Sequence, residues 1–282
     1  MPAKTLRRTQ QFFKDHLSDE LRARIDALPR EHINEFGVDP FGCDPEIIKL
    51  VAPIAAWFYR SYFRCECFGL ENLPEGRFLI IGNHSGQLPF DAAMIATAAL
   101  LDAPKPRLLR GMVERWSAEL PFVSSLFVRA GQVVGDPAVA RKLLEQDEGV
   151  MVFPEGARGI NKLFAQRYQL TEFGHGFMRL ALETGAPIIP VALVGAEEQA
   201  PAVFDFKALA KAMGIPALPV IFPHILPLPL PVKYRIYFGE PMYFKGDADE
   251  DDDVVANHVK HVRHTIQRMI EEGLERRQGI FR

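Results

Sequence analysis

Phe78-Leu-Ile-Ile-Gly-Asn-His84-Ser-Gly-Gln-Leu-Pro-Phe-Asp91 is the stretch on which the fold of this chain turns. It opens with a short apolar run and breaks abruptly into a polar, glycine-containing turn. A continuous apolar run of this length, bounded by a turn, is the pattern of a strand buried on both faces. A helix is predicted to begin near Pro89, with Asp91 in its first turn. The reading puts an imidazole at the carboxyl end of a strand and a carboxylate within reach of it. That is how a general base is held and its cationic form stabilised. The same residues also suit a plain structural use, with His84 hydrogen-bonded in a turn and Asp91 favouring a helix N-terminus.

A second stretch repeats the pattern. Gly149-Val-Met-Val-Phe-Pro-Glu155-Gly156-Ala-Arg158-Gly159 is again an apolar run ending in a tight turn. Glu155 there can orient a substrate hydroxyl or organise backbone donors, and Arg158 can meet an anionic head group or a donor phosphate. A surface Glu–Arg pair beside a turn glycine is the plainer alternative.

Around these two turns, strands are predicted at 64–68, 77–82, 107–111, 131–134, 149–153, 187–195 and 232–239. Helices are predicted at 89–101, 113–127, 137–146, 174–184 and 197–212, with a last one at about 252–277. Such alternation predicts an α/β fold with a mostly parallel, helix-covered sheet, whose site lies at the strands' carboxyl ends. Upstream, residues 5–28 read as a charged helix. Asp44 and Pro45 cap a second, greasy helix whose end carries Trp57, Phe58, Tyr59, Tyr62 and Phe63. Residues 1–63 are therefore expected to be an N-terminal helical appendage suited to a membrane interface, and 64–282 the catalytic domain. The stretch 218–231, rich in Leu and Pro, is expected to form a loop dipping toward lipid or walling an acyl groove. For both greasy segments, burial against the domain is the other reading.

Bulk properties narrow the classes. The chain has 282 residues, 48% hydrophobic and 24% charged, with a formal net charge of -3. That balance argues against nucleic acid as a partner, which requires a basic surface. Three cysteines, Cys43, Cys65 and Cys67, make no disulfide framework, and Cys65 and Cys67 read as packing residues in a reducing setting. No secretory leader is read at the start, and no run reaches the roughly 18 apolar residues of a spanning helix. His258, His261 and His264 spiral along one helix and are expected at the surface rather than on a metal.

Taken together, the motifs resemble the glycerolipid acyltransferase superfamily, over roughly residues 64–245. Asn83-His84 and Asp91 are similar to its first motif, Phe153 to Gly159 to its third (with Ala157 and Gly159 in place of Thr and Ser), and Pro187-Ile-Ile-Pro190-Val-Ala-Leu-Val-Gly195 to its fourth. Two features depart from it. The usual spacing would put the acid at position 89, which is Pro89, so the role passes to Asp91. In the second motif, Gly131-Gln-Val-Val-Gly-Asp136-Pro137 has proline where an acceptor-binding arginine is usual. The longer His–Asp loop and Gly195-Ala-Glu-Glu198 look more like the branch related to mono- and diacylglycerol acyltransferases, which makes a neutral acceptor credible.

The resemblance implies an O-acyltransferase moving a fatty acyl group from acyl-CoA or acyl-carrier protein to a glycerolipid or other lipid hydroxyl. His84 and Asp91 are then the catalytic pair. Asn83, Ser85, Gly86, Glu155, Gly156 and Arg158 are substrate-binding, with backbone N–H groups near Gly86 or Gly156 offered to the oxyanion. No metal and no cofactor beyond the acyl co-substrate are expected. The expected partners are the lipid acceptor, the acyl donor and a membrane surface, with the protein peripheral or monotopic on the cytoplasmic face. Two rivals stand beside this: an acyl thioesterase, and a non-catalytic lipid-binding protein of the same fold. No Gly-x-Ser-x-Gly elbow, P-loop or dinucleotide fingerprint occurs.

Overall fold

The computed structural model describes residues 18–29, 32–84, 89–114, 123–156, 159, 162–205, 219–221 and 228–282. In chain order the elements are α1 (Asp19–Asp26), α2 (Pro45–Trp57), β1 (Glu66–Phe68), β2 (Phe78–Gly82), α3 (Phe90–Leu101), β3 (Leu109–Val113), α4 (Val123–Arg129), β4 (Val133–Val134) and α5 (Pro137–Glu145). They continue with β5 (Gly149–Val152), α6 (Gly176–Thr184), β6 (Ile188–Val194), β7 (Ala202–Asp205), β8 (Pro219–Ile221), β9 (Arg235–Phe238) and α7 (Asp252–Arg276).

Seven strands form one sheet in the order β1-β9-β6-β2-β5-β3-β4. Every pairing is parallel except β6 with β9. β2 is central, flanked by β5 and β6, and all five of its residues are buried. Its side chains alternate between two cores. Phe78 and Ile80 join a layer with α1, α2 and α3, whereas Leu79 and Ile81 join a layer with α5, α6 and α7. The chain leaves β2 toward β3 on one side and returns through β5 to β6 on the other. The carboxyl end of β2 is thus the crevice where such sheets bind ligands.

Local chemistry sets the helix ends. Ser18 Oγ accepts from Leu21 N (3.2 Å), Asp44 Oδ1 from Glu46 N (2.9 Å) and Asp136 Oδ1 from Ala138 N (2.8 Å). Pro45 and Pro137 stand at the first helical positions, where a missing N–H costs nothing. The Asp136-Pro137 departure is therefore a helix start. α2 runs on into a π-helical turn, Phe58–Tyr62.

The N-terminal segment shares the main core across residue 63: Leu21, Ile25, Ile48, Tyr59 and Phe63 pack in one cluster with Phe78, Ile80 and Met94. The α2 helix divides its surface, burying Ile47, Ile48 and Ala52 while Ile54 and Trp57 stay exposed, Trp57 at 51%. Among the described residues no helix is long and apolar enough to cross a membrane. One expected element is corrected. The helix expected over 197–212 is absent from its described part, 197–205: a 3-10 turn at Ala196–Glu198 leads into β7, which pairs antiparallel with β8, and residues 206–212 lie outside the described residues. Gly195 takes a φ of +110°, where an added Cβ would lie 2.3 Å from the Lys233 carbonyl oxygen, so the chain turns sharply instead of coiling onward.

Candidate active site

β2 ends on Gly82, and the next two residues carry the site. Asn83 is completely buried, with its amide clamped on the main chain of β6: Nδ2 donates to Leu193 O (3.0 Å) and Oδ1 accepts from Leu193 N (2.8 Å). That commits Asn83 to holding β2 against β6. Both amide atoms are thereby engaged within the sheet.

His84 stands 20% exposed while Asp91, from the first turn of α3, is wholly buried. The imidazole Nδ1 lies 2.6 Å from Asp91 Oδ2. The pair thus meets despite two intervening residues more than the usual spacing. Asp91 Oδ1 accepts from Ala92 N (2.7 Å), which fixes the carboxylate. Phe153 stacks on the imidazole at 4.6 Å between centroids, nearly parallel, so the ring plane is set on two sides. With Nδ1–H donating to Asp91, the Nε2 lone pair of the neutral ring is left for chemistry. Burial works against charging this ring. The Asp91 carboxylate, by charge and hydrogen bond, and then Glu155 outweigh it, Lys162 opposes them, and the net result is a histidine that titrates above its ordinary range.

Glu155 is buried too, and its carboxylate organises loops. Oε1 accepts from His84 N (3.2 Å), and Oε2 accepts from Thr171 N (2.9 Å) and Thr171 Oγ1 (3.0 Å). Lys162 Nζ approaches Oε2 at 2.8 Å. Of the two uses open to a glutamate here, this geometry is that of organising backbone donors. Gly156 has φ +54°, and its N–H donates to Phe153 O (3.0 Å). That N–H closes the turn. Gly159 packs against both functional turns: an added Cβ would lie 2.9 Å from Glu155 Cβ and 3.1 Å from His84 Cβ. Ser85, Gly86 and Arg158 lie outside the described residues.

Several residues here were not singled out as site residues. Lys162, Thr171 and Glu197 complete the polar support behind His84, and only the acids of Gly195-Ala-Glu-Glu198, directly after β6, gave a signal for one of them. Glu197 Oε2 accepts from Tyr168 N (2.8 Å), and burial pushes its carboxyl above the usual range. Glu198 is held bidentately by Arg277 Nη1 at 2.8 and 2.7 Å. Two cations near the second motif are engaged elsewhere, Arg129 with Asp44 (2.6 Å) and Arg141 with Glu183 (2.7 Å). His258 and His261 pack edge-on against Phe244. Burial raises the Cys65 and Cys67 thiols far above their ordinary values, Cys67 to about 12, so neither is a thiolate at neutral pH. A cavity of about 830 Å³ opens toward the amino ends of β3 and β5, walled by Leu28, Ile48, Leu108, Arg110 and Glu148. It is remote from His84 and belongs to the opposite end of the sheet.

A family model described as Acyltransferase matches residues 64–194, which contain both the His84 and the Glu155 turns. An uncharacterized protein of Mycobacterium leprae is 39% identical over 276 residues, covering 94% of this chain and 75% of the relative. One of Mycobacterium tuberculosis is 38% identical over 275 residues, covering 93% and 76%. The solved 1-acyl-sn-glycerophosphate acyltransferase PlsC of Thermotoga maritima shares the fold, with a TM-score of 0.54 at 17% identity and 83% of each chain covered. The chain thus carries an Acyltransferase-family domain over residues 64–194, and its likeness to PlsC is one of fold.

Proposed function

We propose that this acyltransferase moves a fatty acyl group from an acyl thioester, acyl-CoA or acyl-carrier protein, to the hydroxyl of a glycerolipid, with His84 as general base. The observation that carries the reading is the 2.6 Å contact of His84 Nδ1 with the buried Asp91 carboxylate at the carboxyl end of β2. His84 Nε2 takes the proton of the acceptor hydroxyl as its oxygen attacks the thioester carbonyl. The tetrahedral intermediate collapses, the C–S bond breaks, and the imidazolium returns its proton to the departing thiolate. Asp91 holds the tautomer and stabilises the imidazolium between the two steps. Neither a covalent enzyme intermediate nor a metal is needed in this sequence.

The acceptor is read as neutral or bulky. The second-motif position holds Pro137, which starts α5, and the neighbouring Arg129 and Arg141 are paired with Asp44 and Glu183. The protein is read as working at the cytoplasmic face of a membrane. An aromatic path supports this: exposed Trp57 packs on Phe58, and Phe58 packs on Phe90, the neighbour of Asp91, at 5.0 Å each. Tyr62 Oη donates to Pro229 O (2.5 Å), so the end of the Pro-rich stretch, with exposed Leu228, lies beside the same aromatic group. Aromatic residues of this kind anchor interfacial helices without spanning the bilayer.

The test is thiol release from acyl-CoA on liposomes across lysophosphatidate, mono- and diacylglycerol, a lysophospholipid and no acceptor, with His84→Ala alongside. Acceptor-dependent release is expected with the neutral lipids, falling by about 10²- to 10⁴-fold in the variant. Release without acceptor would make it a thioesterase. Activity surviving in His84→Ala would remove the base.

A further inference from the structure

The polar support behind His84 contains a cation that the proposed chemistry does not use. Lys162 is only 7% exposed and lies between two buried carboxylates, 2.8 Å from Glu155 Oε2 and 3.7 Å from Glu197 Oε1. Its Nζ makes no aligned hydrogen bond, so its hold on both acids is chiefly coulombic. Each acid in turn braces the histidine loop. Glu155 accepts the His84 N–H, and Glu197 stands 3.5 Å from Asn83 Nδ2 while holding Tyr168 N. The acids come from different places, Glu155 from the turn after β5 and Glu197 from the turn after β6. Two carboxylates in one buried site cannot both stay ionised without a cation between them.

Resting on the reading of His84 as the base, we infer that Lys162 is a positioning residue of the reaction: its ammonium, shared between Glu155 and Glu197, offsets their mutual repulsion and so fastens the turns after β2, β5 and β6 around the histidine. The charges facing His84 are Asp91 from α3, Glu155 from the β5 turn and Lys162 itself, with the Phe153 ring against its face. Lys162 is the one cation in this set, and it offsets the two acids that favour the charged imidazole. Removing it leaves His84 protonated to higher pH and its loop less firmly braced. Glu197 then takes up a proton more readily, because burial already favours its neutral form and Lys162 is the largest influence opposing that.

The experiment compares the full-length wild type with Lys162→Met and Lys162→Arg. NMR of the ring-labelled histidines gives the His84 titration, assigned with His84→Ala. Steady-state kinetics give kcat and KM, and circular dichroism checks folding. In Lys162→Met the His84 titration moves to higher pH and kcat at neutral pH falls by about 10- to 100-fold, the scale of a base displaced by a fraction of an ångström to 1 Å. KM changes little, and Lys162→Arg restores the titration and most of kcat. If Lys162→Met does not fold, the double variant Lys162→Met/Glu197→Gln, which removes both charges, takes its place and is expected to titrate above wild type with reduced kcat. A folded variant lacking the Lys162 cation, with an unmoved His84 titration and unchanged kcat, overturns the inference. Absence of acyl transfer in the wild type would overturn the proposed reaction instead, while the titration would still report on Lys162.

Discussion

The sheet carries a buried ionic centre at each end, and the two are built differently. At the carboxyl ends of β2, β5 and β6, the acids Asp91, Glu155 and Glu197 are spent on main-chain N–H groups, a histidine and one lysine. Toward the amino end of β3 stands Arg110, 1% exposed, whose Nη1 meets Asp39 Oδ2 at 2.6 Å. Its Nε and Nη2 have no partner among the described residues. Asp39 Oδ1 accepts from Phe41 N and Cys43 N at 2.8 Å each, so this pair pins the 39–43 turn to the sheet. A carboxylate accepts from several directions, which lets one buried acid tie separate loops into a site. A guanidinium has donors only, and here it ties one turn. The first centre is suited to hold chemistry and the second to hold the N-terminal segment.

That contrast can be broken by substitution. Asp91→Asn keeps the shape of the site but loses the tautomer and the countercharge, and kcat/KM is expected to fall by about 10²- to 10⁴-fold with thermal stability nearly kept. Thiol-release kinetics beside a melting curve decide it; an active Asp91→Asn would make the carboxyl-end cluster merely structural. Arg110→Met is expected to do the reverse. Stripping one partner from a buried pair costs about 3–5 kcal/mol, read by urea unfolding, with kcat/KM per folded molecule unchanged. Adding Asp39→Asn should recover part of the loss.

Gly159→Ala tests how tightly the two functional turns are packed. Its Cβ meets Glu155 and His84 carbons at 2.9 and 3.1 Å. Overpacking of this sort costs about 1–3 kcal/mol, and because it pushes on the base, activity should drop further than stability does. Equal losses would mean the turns yield together. The smallest effect is one of pH. His84 titrates above the ordinary histidine value of about 6.5. As a base it works only when neutral, so kcat/KM falls as pH drops through that raised value. Its contribution to stability has the opposite sense: full below the unfolded-state value and lost as pH rises through the folded one. Activity and stability should therefore run in opposite directions across that window, and a parallel pH dependence would contradict the His84–Asp91 assignment.

Periodicity made much of the fold legible. All seven strands expected from apolar runs lie in one sheet, and the caps Asp44 and Asp136 start their helices where the Asp-Pro pairs stand. The start of the 197–212 segment misled because its composition suits a helix, while Gly195 turns the chain and β7, at 202–205, finds a partner in β8. In the site, His84 and Asp91 were legible because they are near in sequence and follow a buried strand. For Asn83, Glu155 and Gly156 the intramolecular partners were not legible, because a residue's identity does not say which way its polar atoms are already spent.

By itself, the sequence determined the parallel α/β layering, the strand whose end bears the histidine, and the family, since these depend on short-range pattern and local spacing. Only the tertiary structure decided that Asp91 reaches across a longer loop, that Glu155 serves the His84 main chain, and that Lys162 stands between Glu155 and Glu197. The physical reason is that burial and pairing of charges belong to the packed sheet. Contacts such as Asn83 with Leu193, 110 residues apart, exist only once parallel strands from distant parts of the chain lie side by side.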